Sequence, residues 1–305
     1  MGELQHICYL CFSSNTSIIG RNIDFDTDIY ACNACGLIQT NVVSSPYLGY
    51  YYHKKYREVR NESITEKYLN FLSLRAASQH KFIRNNLPEP AQVRTVLDIG
   101  ASAGKLLESF IPAAKAFAVE ADATMIEYIN NIRSITVIDE AALFEEENHR
   151  KFDLITLSHV FEHINNPLAY LYNLHKIVSD EGYVFLEVPN EPVHLVSHNI
   201  NKRKRGIGHL FDYTVDTLRQ MIDKSALFKV ISLATYSVSV ADYLKGAAIS
   251  NFEENKLGDG RHIRCLLKKL DSGKSHAEYR YIDSVLQNLY RRQLTNEKRK
   301  QCDPG

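Results

Sequence analysis

The chain has 305 residues, 45% of them hydrophobic, and its 36 Lys and Arg are balanced by 36 Asp and Glu. That length can bury a sizeable core in one large domain or two smaller ones, and the charge balance gives no global field favouring nucleic acid or an anionic membrane. No apolar run is long enough to span a bilayer, and the opening MGELQHICYLC has neither a basic nor an apolar leader region. His6 breaks the myristoylation pattern that Gly2 begins, so a soluble, cytoplasmic protein is expected.

Residues 1–45 hold two close cysteine pairs, Cys8 with Cys11 and Cys32 with Cys35. Two residues between thiolates let both point at one tetrahedral ion, and two such knuckles make a closed four-sulfur zinc site. With every ligand position filled by protein, the predicted zinc is structural. Gly36 follows the second pair, where a knuckle turn needs positive φ. Arg21 faces Glu3, Asp24, Asp26 and Asp28 in this segment; an acidic ribbon repels phosphate and makes a poor nucleic-acid finger.

Residues 46–92 begin with YLGYYYHKKYR (47–57), read either as a packed linker with a solvated basic face or as a lid whose tyrosines cover a ligand. A helix is predicted over 62–86 from the spacing of Ile64, Tyr68, Phe71, Leu72, Phe82 and Ile83. From residue 93 strands and helices alternate. Strands are expected at 94–99, 115–120, 134–138, 152–158, 182–188, 228–235 and 261–268, and helices at 104–111, 123–131, 166–179 and 215–226. This alternation predicts an α/β domain over 93–270 with a seven-stranded, mostly parallel sheet and helices on both faces.

Ligands of such sheets sit outside the carboxyl ends of the strands. After the first strand comes DIGASAG, with Gly100, Ser102 and Lys105 where a dinucleotide fingerprint has three glycines. The missing middle glycine argues for a ligand without a pyrophosphate. Glu120 follows the second strand, 22 residues beyond Asp98, where a carboxylate can accept both hydroxyls of a ribose. Asp139 follows the third, SHVFEHI the fourth and PNEP the fifth.

In that order these segments resemble the class I S-adenosylmethionine (SAM)-dependent methyltransferases: VLDIGASAG their first motif, AVEAD their second, and FDLITLSHVFEHINNPLAYLYNLHKIVSDEGYVFLEVPN their fourth strand, helix and fifth strand. The likeness spans about residues 94–235 and implies a Rossmann-like fold with SAM as cofactor. Carried over by position, Asp98, Gly100 and Gly104 frame the methionine end, Glu120 the ribose and Asp139 the adenine. Ala101, Ser102, Ala121, Ser158, His159 and, from the lid, Tyr51 complete the expected cofactor-binding set.

The ribbon, the Tyr-rich segment and the core together resemble methyltransferases of sugar and natural-product pathways, including deoxysugar C-methyltransferases. Those carry acid–base residues in H-E-H-F-x-Y; here GHLFDYT keeps His209, Phe211 and Tyr213 without the Glu-His part. The chain also ends before the extra C-terminal domain of that group, so O-methyl transfer to a sugar hydroxyl or a nucleotide-linked sugar is expected over C-methyl transfer. His209 is the first candidate base, with His163 and Tyr213 behind it. An insertion, 191–213, forms the expected substrate cap, and its NKRKRG run (201–206) reads as a solvated loop or as a clamp for a phosphorylated acceptor.

His159-Val-Phe-Glu162-His163 also spells the H-x-x-E-H zinc-protease pattern, but it falls where a methyltransferase places its substrate edge. An RNA methyltransferase docking through its ribbon is disfavoured by that ribbon's acidity. A catalytically silent SAM-binding scaffold is disfavoured by the intact Gly100, Gly104 and Glu120. Residues 271–305 end the chain with an amphipathic helix over 275–300 that covers the sheet or joins a second subunit, and a basic tail.

Overall fold

A computed structural model describes residues 6–40, 51, 64–89, 91–145, 149–192, 208–238 and 251–271. The lid apart from Tyr51, the basic run 201–206 and the helix expected at 275–300 lie outside the described residues.

The main sheet is built from β4 (Thr95–Ile99), β5 (Lys115–Val119), β6 (Ile135–Val137), β7 (Phe152–Ser158), β8 (Val178–Pro189), β10 (Phe228–Val238), β11 (Phe252–Asn255) and β12 (His262–Lys269), in the order β11-β10-β12-β8-β7-β4-β5-β6. The seven expected strands are present, and β11 adds an eighth at the edge, paired antiparallel to β10. Its FEEN sequence has too few apolar residues to show the alternation that marks a half-buried strand. Strands β6-β5-β4-β7-β8 run parallel, whereas β12 runs antiparallel to both its neighbours, β8 and β10. Parallel strands are covered on both faces and read as continuous apolar runs, as in the AFAV of β5.

Helices α1 (Glu66–Asn86) and α2 (Lys105–Glu108) cover one face through Phe82, Ile83, Leu106 and Leu107, and α3 (Ala123–Asn130) adds Ile129 there. On the other face α5 (Pro167–Ile177) and α6 (Val215–Ser225) bury Leu168, Leu171, Leu174, Leu218 and Met221. Each start is capped by its own sequence. Asn166 accepts from the Ala169 N–H with Pro167 in the first turn of α5, and Thr214 and Thr217 form a reciprocal capping box for α6. The expected helix 104–111 is only the single turn of α2, and SHVFEHI forms not a helix but one 3₁₀ turn, Phe161–His163. His159 has φ +58, which breaks any helix face shared by His159 and His163.

The N-terminal ribbon consists of β1 (Thr16–Asn22), β2 (Thr27–Cys32) and β3 (Ile38–Thr40), with Gly36 at φ +80 in the second knuckle. It is not an independent lobe. β9 (Phe211–Asp212), from the expected substrate cap, completes its sheet by pairing with β3. Cys8, Leu10, Cys32 and Leu37 share one hydrophobic cluster with Phe161, Leu168, Phe211 and Tyr213. No helix among the described residues is long and apolar enough to cross a membrane.

Candidate active site

The chain leaves β4 for β5 and β6 on one side, then returns to β7 on the other. The order therefore reverses between β4 and β7, and the crevice at their carboxyl ends is where open α/β sheets bind ligands.

On the β4 side the loop GASAG takes left-handed backbone at three alternate residues: Gly100 (φ +73), Ser102 (φ +49) and Gly104 (φ +72). A Cβ at Gly100 would lie 2.4 Å from Val160 Cγ2, so both its conformation and its surroundings require glycine. Ser102 stands where the fingerprint has its second glycine and still adopts that residue's backbone. The Glu120 carboxylate ties this loop to the next one. Oε2 accepts from the Ser102 N–H (2.6 Å), and Oε1 from the N–H groups of Ala121 and Asp122 (both 2.8 Å). Asp98 is 3% exposed and accepts from the Thr156 hydroxyl at 2.6 Å. Burial pushes its carboxyl up to about 7, the Thr156 bond opposing and the Glu120 charge adding to the rise. Asp139 caps α4 (Glu140–Leu143) by accepting from the Ala142 N–H at 3.1 Å.

On the β7 side Ser158 Oγ accepts from Gln79 Nε2 (2.7 Å), which also donates to Glu187 Oε1 (3.0 Å). Glu187 is fully buried and pairs with Arg264 Nε (2.5 Å) and Arg75 Nε (3.3 Å). Arg75 also donates to His159 Nε2 at 3.0 Å. His159 Nε2 also lies 3.4 Å from Glu187 Oε1, and its Nδ1 faces Glu162 Oε1 at 3.3 Å. The sequence pattern alone did not single out Arg75, Gln79, Glu187 and Arg264. The available signal was a charge inside an apolar strand, as in VFLEVP and HIRCLL, which is costly unless paired.

Beyond β7 and β8 the expected acid–base candidates come together. His163 Nε2 lies 3.9 Å and His209 Nε2 3.8 Å from Glu162 Oε1, and the two imidazoles meet edge to face. His163 donates from Nδ1 to the Gly208 carbonyl at 3.0 Å. His209 Nδ1 lies 3.1 Å from Glu191 Oε2 and 3.6 Å from Asp212 Oδ1. Burial lowers His209, but its hydrogen bonds with Asp212 and Glu191 and the charges of Glu191 and Glu162 outweigh that and raise it to about 9. Burial takes His163 down to about 4. Burial would raise Glu162, yet the facing His159 ring and the other imidazoles around it hold it at about 2. At neutral pH the cluster is a carboxylate, an imidazolium at His209 and a neutral imidazole at His163. His209, the first candidate base, is thus already protonated. Tyr213 is fully buried, its ring stacked between Phe161 and Phe211, and burial raises its phenol well above 10.

The ribbon positions this cluster. Asn22 Nδ2 and Thr40 Oγ1 both donate to the His209 carbonyl (3.3 and 3.1 Å), and the Thr40 N–H donates to the Leu210 carbonyl. Asp24 Oδ2 accepts from the Gly208 N–H (3.0 Å) and from the Tyr51 hydroxyl (2.9 Å). Tyr51, expected among the cofactor-binding residues, therefore stands on the His209 side.

The four ribbon thiols lie within 4.8 Å of one another, with Cys8 and Cys35 sulfurs 3.6 Å apart and those of Cys11 and Cys32 3.5 Å apart. Zn–S bonds of about 2.3 Å at tetrahedral angles put sulfurs about 3.8 Å apart, so the cluster fits zinc. Burial raises Cys8 and Cys35, whereas at Cys32 the Cys35 and Ala34 N–H groups outweigh burial and bring the thiol down to about 7.

The fold and the crevice define an α/β protein of the methyltransferase class. The family described as a methyltransferase domain matches residues 68–233, more than half of the chain, and the chain belongs to that family. No curated protein matches the chain. Among solved structures it is similar to a SAM-dependent methyltransferase from Thermotoga maritima, titled a possible histamine N-methyltransferase, at 16% identity over 73% of this chain and 99% of that one, with a TM-score of 0.50. The plantazolicin methyltransferase BpumL, solved with S-adenosylhomocysteine, is 14% identical over 73% of this chain and 93% of its own, with a TM-score of 0.49. A SAM-dependent methyltransferase from Mesorhizobium loti is 14% identical over 64% and 99%, with a TM-score of 0.47. At these identities the likeness is one of fold.

Proposed function

We propose that the protein transfers a methyl group from SAM to a hydroxyl of a polar small molecule, a sugar or nucleotide-linked sugar, in the cytoplasm. The observation that carries this reading is the pairing, across one crevice, of the three-fold left-handed loop latched by Glu120 with the buried Glu162–His163–His209 cluster. Bound SAM supplies an electrophilic methyl group on its sulfonium. Asp98 and the 100–104 loop would hold its methionine end, Glu120 the ribose hydroxyls and Asp139 the adenine, with Ala121, Ser158 and His159 completing the cofactor site.

Most of the acceleration in such a displacement comes from positioning. His209, held by Glu191, Asp212 and the ribbon, orients the acceptor as a hydrogen-bond donor, and neutral His163 is the group whose protonation state suits accepting the hydroxyl proton. Tyr213 supports this wall from the core. Zinc in the four-cysteine site fixes the ribbon and through it the His209 backbone.

The test combines calorimetry with SAM and NAD and a labelled-methyl assay against a panel of sugar nucleotides and free sugars. SAM should bind and NAD should not. His209→Ala should keep SAM affinity and lose about 10²–10⁴-fold in rate on a true acceptor. NAD binding, or SAM binding with wild-type turnover in His209→Ala, would refute the reading.

A further inference from the structure

Glu162 belongs to the cluster on which the methyl-transfer reading rests, but no step of that scheme is assigned to its carboxylate. Its side chain is 1% exposed; His159 Nδ1 faces Oε1 at 3.3 Å, and among the described residues Oε2 has no hydrogen-bond partner. A buried carboxylate this sparsely partnered is costly. Around Oε1 stand His163 Nε2 at 3.9 Å and His209 Nε2 at 3.8 Å, and one ligand atom from each of the three residues falls within 4.8 Å of the others.

The ring nitrogens on the far side are held as metal-binding imidazoles are held. His163 gives Nδ1–H to the Gly208 carbonyl at 3.0 Å, and His209 Nδ1 faces the Glu191 carboxylate at 3.1 Å with Asp212 behind it at 3.6 Å. The carbonyl partner leaves the His163 lone pair on Nε2, and the Glu191 carboxylate keeps one His209 proton on Nδ1, so that a metal ion need displace only the Nε2 proton of His209. Ligands at bonds of about 2.0–2.2 Å and tetrahedral angles stand about 3.3–3.6 Å apart; the two separations from Glu162 Oε1 need to close by only a few tenths of an ångström, and the two imidazole nitrogens lie within 4.8 Å of each other.

We infer that Glu162, His163 and His209 bind a divalent first-row transition ion, with zinc the best match, at a second metal site distinct from the four cysteines. Two imidazoles and one carboxylate leave a coordination position open, as in catalytic zinc sites, whereas the four-thiolate site is closed. In the metal-loaded protein His163 and His209 are ligands rather than base and donor, and the open position would take an oxygen of the acceptor. That role, though not the site itself, rests on the acceptor reading above.

The experiment counts metal in the full chain, stripped under reducing conditions and reloaded with Zn²⁺, by elemental analysis and by calorimetric titration. Wild type should hold two equivalents. Glu162→Gln, which keeps the shape of the side chain, and separately His163→Ala should each hold one, with the second affinity weakened at least about 100-fold, and Glu191→Gln should weaken it about 10–100-fold. Co²⁺ loading gives an independent readout, because thiolate-to-cobalt charge-transfer bands report the cysteine site alone and should be unchanged in Glu162→Gln. Wild type saturating at one equivalent overturns the proposal, as does a second equivalent that survives both Glu162→Gln and His163→Ala. SAM titration of the same samples separates the two readings. One metal with normal SAM binding overturns the second site alone; two metals without SAM binding overturn the methyl-transfer reading and leave the site standing.

Discussion

Replacing Glu120 perturbs two things at once, and the structure separates them. A carboxylate offers about four lone-pair positions, and three are occupied by the N–H groups of Ser102, Ala121 and Asp122. Two ribose hydroxyls therefore need one more position than is vacant, so SAM must share or displace the Ser102 bond, and binding should be coupled to a shift of the 100–104 loop. In Glu120→Ala the three amides lie near the surface and turn to water, so stability should fall by only about 1–2 kcal/mol, the lower end for bonds to a charged group. SAM affinity should fall by about 1–3 kcal/mol, roughly 5–150-fold. Glu120→Gln can still accept from Ala121 and Asp122 through its carbonyl, but it turns an amino group toward the Ser102 N–H, two donors facing each other. It should keep most of the stability and lose most of the affinity. Urea melts measure the first effect and calorimetry the second. If Glu120→Ala binds SAM within twofold of wild type, Glu120 is only a loop brace and the ribose assignment fails.

Asp98 is an acid raised by burial to about 7 from an ordinary 3.8. Its contribution to stability is complete below pH 4 and is lost as pH rises through 7, falling by about 1.4 kcal/mol for each pH step between those two values. Asp98→Asn, which can still accept from Thr156, should gain stability relative to wild type between pH 5 and pH 8 in parallel urea melts; an unchanged difference contradicts a buried neutral Asp98. Ser102→Gly should relieve left-handed strain of about 1–2 kcal/mol while losing about 0.4–1 to unfolded-state entropy, leaving the protein as stable or slightly more so and SAM affinity unaltered, because only the backbone of residue 102 bonds Glu120. Ser102→Val should be clearly destabilised, and equal melts for the two would show that the loop relaxes. Removing zinc with a chelator should lower the melting temperature and speed amide exchange at residues 38–40 and 208–212, because β3 and β9 are one ladder; faster exchange confined to residues 6–36 would mean that the ribbon stands alone.

The alternation of strand and helix from residue 93 was legible because its signals are local: continuous apolar runs, capping residues and loop glycines act within a few positions of one another. The cysteine pairs and the sequence of strand-end residues Asp98, Gly100, Glu120 and Asp139 were legible for the same reason. What the tertiary structure decided depends on residues far apart in the chain. The β3–β9 pairing joins Gln39 to Phe211, and no short-range pattern marks a two-residue strand. The Glu187–Arg264–Arg75 network spans three elements, so each charge looked like an isolated exception in its own strand or helix until the fold brought its partner within 2.5–3.3 Å. The protonation of the acid–base cluster was also decided there. His163 and His209 are the same residue type with the same ordinary value, and their shifts in opposite directions follow from how many carboxylates the folded chain sets beside each buried ring.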